Sequence, residues 1–169
     1  MHNSRMKHLR YLTTAGVFAA LIFVSTYLLH IPIGSSGYIH PGDTFIYLAA
    51  CILPTPYAAA AASIGAALSD SLAAPIYIVA TLVIKAVLTL FFTYKSDRII
   101  NKRNVIAVFL AGITGLLGYF LWEWIWFGFY PAAINVPLGS LQPIGSGILF
   151  VLVGLALDKT NMKKRLRLG

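Results

Sequence analysis

The feature that most constrains this chain is where its positive charge is absent. Twelve of its thirteen Lys and Arg residues gather in three clusters separated by long apolar stretches. The first holds Arg5, Lys7 and Arg10; the second, Lys95, Arg98, Lys102 and Arg103; the third, Lys159, Lys163, Lys164, Arg165 and Arg167. Only Lys85 lies inside an apolar run. With 59% hydrophobic and 11% charged residues, the chain has too little charge to cover a compact body in water. Lipid must cover part of it.

The apolar runs and their breakers divide the 169 residues into six spans, at about 11–29, 43–53, 57–70, 75–94, 105–127 and 141–157. The first, fourth and fifth are long enough for a hydrocarbon core of about 30 Å. Pro54-Thr55-Pro56 separates the second from the third, because proline cannot continue a helix and restricts its predecessor. Those two spans are short, and a hairpin dipping partway into the bilayer is the competing reading. Two longer connections, 30–42 and 128–140, contain no Lys or Arg. All three basic clusters then fall on one side, which the positive-inside rule makes cytoplasmic. The expected fold is a single all-α integral membrane domain with six transmembrane helices and both termini inside. A cleaved leader is disfavoured, since keeping the first span preserves this arrangement. The net charge of +8 reads as topology, with no nucleic acid implied.

Ionisable groups in the spans are the next constraint. A Lys at mid-membrane costs about 2.5–3.5 kcal/mol even on the lenient insertion scale, so Lys85 must face the bundle interior. Its company there is a carboxylate, a substrate or backbone carbonyls. Tyr77, Thr81 and Lys85 recur every four residues and share one helix stripe. Tyr119, Trp122, Glu123 and Trp126 follow the i, i+3, i+4, i+7 pattern on the next helix, and Gln142 and Ser146 are four apart on the last. Tyr38, His40 and Asn135 lie in the flanking connections. Each residue also has a plainer reading. Tryptophans collect at membrane interfaces; His40 in a loop is solvated; Asp43 after Pro-Gly caps a helix, and Asp70 does the same for the segment after it. A polar cavity open to the outside accounts for the set together.

No catalytic constellation emerges. No His lies within a span to activate a serine, no Walker A sequence is present, and His40 with Asp43 is too sparse for a metal. The single Cys51 excludes an intrachain disulfide. Binding or transport is favoured over catalysis, and no cofactor is implied. A stand-alone secondary carrier, or a membrane-embedded enzyme using Asp43, Asp70 and Glu123, are the alternatives.

Several segments in order carry a resemblance: the small residues Ala15 and Ala19 in the first span, HPGD (40–43), GAALSD (65–70), TLVIK (81–85) and AAINVPLGSLQPIGSG (132–147). The chain resembles the S components of energy-coupling factor (ECF) transporters. The resemblance implies a six-helix binder in the plasma membrane of a prokaryote, which captures a vitamin or related micronutrient from outside. It further implies partnership with a membrane coupling subunit and two ATPase subunits. Ala15 and Ala19 would dock the coupling subunit, the first outer loop would act as a lid, and the last three helices would line the pocket. Tyr38, Tyr77, Thr81, Lys85, Tyr119, Trp122, Glu123, Trp126, Asn135 and Gln142 are the candidate substrate contacts, with a planar heterocycle expected from the aromatic content.

Overall fold

A computed structural model describes residues 2–33, 37–161 and 163, with the side chains of 2–4, 33, 37 and 38 left out of the description. The chain runs α1 (His2–Leu28), a hairpin of β1 (Ile31–Ile33) and β2 (Gly37–Ile39), α2 (Gly42–Ile52) and α3 (Thr55–Ala73). A single 3-10 turn at Pro75–Tyr77 leads into α4 (Ile78–Thr89), followed by α5 (Lys102–Phe127), α6 (Phe129–Gly139) and α7 (Leu141–Lys159).

Among the described residues, three stretches are long and apolar enough to cross a membrane: Arg5–Leu28, Lys102–Phe127 and Phe129–Lys159. Gly42–Ile52 and Pro75–Thr89 are apolar but shorter. The outward faces agree with lipid contact. On α5, Ile113, Leu117, Leu121 and Ile125 follow one another at four-residue intervals and are more than half exposed. A water-facing helix would not carry such a stripe.

Two elements depart from the sequence reading. The 128–140 connection is helical as α6, and the 30–42 connection holds an antiparallel ribbon pairing Ile31 with Ile39 and Pro32 with Tyr38. Gly128, at φ 90°, is the joint that lets α5 end and α6 begin at once, since left-handed backbone favours glycine. Pro131 falls in the first turn of α6, where a missing N–H is harmless. The fourth helix also ends earlier than expected, at Thr89.

Small residues set the helix spacing. α1 packs most extensively on α3, an alanine-rich helix whose Ala58, Ala62 and Ala66 are buried. Gly65 marks their closest approach: a Cβ there would sit 2.5 Å from the Ala19 carbonyl oxygen. Ala15 is 7% exposed on this same seam. Within the core, Tyr47 of α2 stacks on Phe92 at 5.0 Å and meets the edge of Phe150 at 5.8 Å.

The basic connection between α4 and α5 is held by side chains instead of regular structure. Asn104 accepts the Thr93 N–H at 2.8 Å and donates to the carbonyls of Thr93 and Ile99 at 3.2 and 2.9 Å. Asp158 of α7 accepts the Ile99 and Ile100 N–H groups at 2.7 and 2.9 Å. Asn104 is fully buried, so replacing it by Ala strands several backbone groups away from water. Asn104→Ala is expected to destabilise the detergent-purified protein by about 2–4 kcal/mol, seen as a lowered thermal midpoint. An unchanged midpoint would show that this junction contributes nothing to stability.

Candidate functional site

The site begins with the ion that cannot be left in lipid. Lys85 of α4 is 2% exposed, and its Nζ donates to Asp43 Oδ1 of α2 at 2.7 Å. The second carboxylate oxygen, Oδ2, accepts from Gln142 Nε2 of α7 at 2.8 Å. Lys85 Nζ also lies 5.3 Å from the centre of the Tyr119 ring, within cation–π range. Three helices and a ring therefore share one buried charge pair. Asp43 makes no side-chain cap of its helix, so its expected capping role gives way to this pair.

A second network lies beside it. Tyr77 OH donates to Glu123 Oε1 at 3.1 Å, and Asn135 Nδ2 of α6 donates to Glu123 Oε2 at 3.0 Å. Thr81 Oγ1 and the Tyr119 hydroxyl share a bond of 2.8 Å, and the Tyr77 and Tyr119 rings meet edge to face at 6.1 Å. Between the two networks is a cavity of about 120 Å³. That is many times what one water requires, so it is a chamber and not a packing defect. Its lining includes His40, Asp43, Tyr47, Asp70, Tyr77 and Lys85 on one side. Opposite them stand α5, with Gly115, Tyr119 and Glu123, and the α6–α7 corner, with Asn135, Gly139 and Gln142.

Six of the expected contact residues meet here: Tyr77, Lys85, Tyr119, Glu123, Asn135 and Gln142. Three others, Thr81, Trp122 and Trp126, do not line the chamber. Thr81 is buried behind it as the partner of Tyr119. Trp122 donates its Nε1–H to the Ile76 carbonyl at 3.1 Å, which ties the turn leading into α4 to α5. Trp126 is 57% exposed near the end of α5, and its ring lies 5.9 Å from that of Trp122. Tyr38 sits in β2, and its side chain is outside the described residues.

Four lining residues with polar side-chain groups were not among the expected contacts. Asp43 and Asp70 read as helix caps and His40 as a solvated loop residue, while nothing in the sequence singled out Tyr47. His40 is half-buried; its Nδ1 accepts the Gly42 N–H at 3.1 Å and lies 3.3 Å from Thr26 Oγ1. Burial lowers the His40 pKa to about 4, so the imidazole is neutral at pH 7 and can serve as that acceptor. The expected docking pair, Ala15 and Ala19, is turned toward α3 within the bundle.

Comparison with known proteins agrees with this architecture. The family model for the ECF-type riboflavin transporter, S component, matches residues 6–162. The chain belongs to this family of ECF-type S components, the membrane subunits of ECF transporters that bind substrate. It is also 30% identical over 140 residues to an uncharacterized protein in the gap 3′ region of Pyrococcus woesei, covering 78% of this chain and 93% of that one. No solved structure matches the chain.

The ion pair gives this site a direct test. Breaking a buried pair leaves one charge uncompensated, which costs about 3–5 kcal/mol. Lys85→Met is expected to lower stability by that order, and adding Asp43→Asn in the same chain should recover much of it. Additive losses in the double variant would contradict the coupling.

Proposed function

We propose that this chain is the substrate-capturing subunit of an ATP-driven ECF importer in the plasma membrane of a prokaryote. It takes up a vitamin or related small heterocyclic micronutrient from outside. In this reading the single domain crosses the bilayer six times through α1, α2, α3, α4, α5 and α7, with both termini and the basic clusters in the cytoplasm. The β1–β2 ribbon and α6 then lie at the outer end, over the chamber. The observation that carries the proposal is the chamber itself: polar groups from six helices converge on a hollow in an otherwise apolar bundle. Apolar and aromatic walls with a few fixed polar groups are the usual form of a small-molecule site.

Tyr77, Tyr119, Glu123, Asn135 and Gln142 are the proposed substrate contacts. Glu123 and Asn135 are central because the α5–α6 joint at Gly128 brings them together. Opening of α6 would break the Asn135–Glu123 bond and expose the chamber to the outside. Lys85 and Asp43 hold the inner wall, and their mutual pairing keeps either charge from meeting lipid. Riboflavin, which stands in the family's name, is the natural first probe but not the required ligand.

Energy would come from a membrane coupling subunit with two ATPases, docked along α1. With Ala15 and Ala19 facing α3, the lipid-facing side of that helix is what a partner helix could reach. Gly16 lies on this side, and a Cβ there would meet nothing within 4 Å. Small residues permit close helix approach in membranes. Co-expressed with an ECF module, the tagged chain should retain the coupling subunit and both ATPases through purification. Gly16→Trp should abolish that retention with an unchanged melting temperature. A wild-type chain that retains none of the three subunits would contradict the importer role; a Gly16→Trp chain that retains them would contradict the docking face.

A further inference from the structure

The chamber's charge balance narrows the ligand class. Among the described residues that line it are three carboxylates, Asp43, Asp70 and Glu123, and a single ammonium, Lys85. The segment 34–36 nearby in sequence is Gly-Ser-Ser and adds no charge. His40, neutral at pH 7, adds none either. Lys85 is committed to Asp43 at 2.7 Å. Glu123 accepts hydrogen bonds at both oxygens, as an ionised carboxylate does, and both donors are neutral groups, Tyr77 and Asn135. With Lys85 committed to Asp43 and Glu123 bonded to neutral donors, the Glu123 charge faces the hollow at low dielectric, where it acts more strongly than in water.

A second observation, independent of the acids, points to a ligand in the same place. Tyr47 lines the chamber with its side chain fully buried, and its hydroxyl has no hydrogen-bond partner among the described residues. Buried hydroxyls are rarely left so. The ring is fixed between Phe92 and Phe150, so the hydroxyl is held at the α2 wall, one helical turn inward from Asp43. A group on a bound solute would satisfy it. The remaining walls suit a cation as well, since the Tyr77 and Tyr119 rings present aromatic surface beside the carboxylates.

We infer that the chamber takes a positively charged heterocycle, held by Glu123 and the neighbouring carboxylates, with the Tyr47 hydroxyl as a further polar contact. The inference rests on the small-solute reading above and specifies the ligand class within it. It also sets an exclusion: a phosphorylated or carboxylated analogue would bring like charge against Glu123, an arrangement that discriminates by repulsion.

The test is a thermal-shift panel on the purified full-length protein at pH 7. Thiamine and 1-methylnicotinamide serve as cations, riboflavin as a neutral ring system, and riboflavin 5′-phosphate and pyridoxal 5′-phosphate as anions. The largest stabilisation should come from a cation, with none from either phosphate. Glu123→Gln should weaken binding of that cation at least tenfold. Tyr47→Phe should weaken it several-fold while leaving the ligand-free midpoint unchanged or higher, because the hydroxyl has no protein partner to lose. Strongest stabilisation by riboflavin or by a phosphate would overturn the charge assignment while preserving the small-solute reading. Absence of stabilisation by both cations at millimolar concentration would overturn it too, as would equal cation affinity in Glu123→Gln. A Tyr47→Phe protein with wild-type cation affinity would remove Tyr47 from the site.

Discussion

The buried pair between Lys85 and Asp43 is the constraint on which the rest of the structure turns. An ammonium placed in mid-helix within an apolar bundle has to be compensated by a fixed partner. Asp43 supplies the opposite charge at 2.7 Å, and Gln142 satisfies the carboxylate oxygen that Lys85 leaves. Because the three residues sit on α4, α2 and α7, the pair also sets where those helices stand relative to one another. The short α2 could not hold such a position by length alone. It is held by this polar knot at one end and, a turn further on, by the Tyr47 ring between two phenylalanines.

The chamber follows from that arrangement. Polar side chains that must avoid lipid turn inward from several helices, and small residues on α5 and α6, Gly115 and Gly139 among them, leave the space between them unfilled. Hydrogen bonds then fix the walls: Tyr77 and Asn135 hold Glu123, and Thr81 holds Tyr119. The same residues that solve the solvation problem of a membrane helix thereby form a chamber whose walls have little freedom to rearrange. Such preorganisation lowers the entropy lost when a ligand binds.

Much of this was legible in the sequence, and the parts that were not failed for physical reasons. The helical spacing of Tyr77 and Lys85, and of Tyr119 and Glu123, placed those four side chains inward, and the structure joins them to Asn135 and Gln142. Asp43 was misread because a carboxylate after Pro-Gly at a helix start has a local use as a cap; its true partner is 42 positions away in the chain, beyond the reach of local pattern. Tyr47 was hidden because it sits in an apolar run whose faces cannot be ranked without knowing the neighbours. Prolines 131 and 137, with Gly128 and Gly139, made α6 look like a connection, although one proline occupies the first turn and the glycines only bound the helix. Trp126 shares a face with Trp122 on the helical wheel but lies at the last turn of α5, where it is exposed.

The central claim, that this hollow holds a solute, is most directly tested by native mass spectrometry of the protein purified from cells grown in rich medium. A cavity-filling variant, Gly115→Trp, provides the comparison, because a Cβ at Gly115 meets nothing within 4 Å and the side chain would grow into the chamber. The account predicts one small organic molecule per wild-type chain and none on the variant, with the variant still folded. A wild-type chain with no bound solute, or a solute retained unchanged by Gly115→Trp, would contradict it.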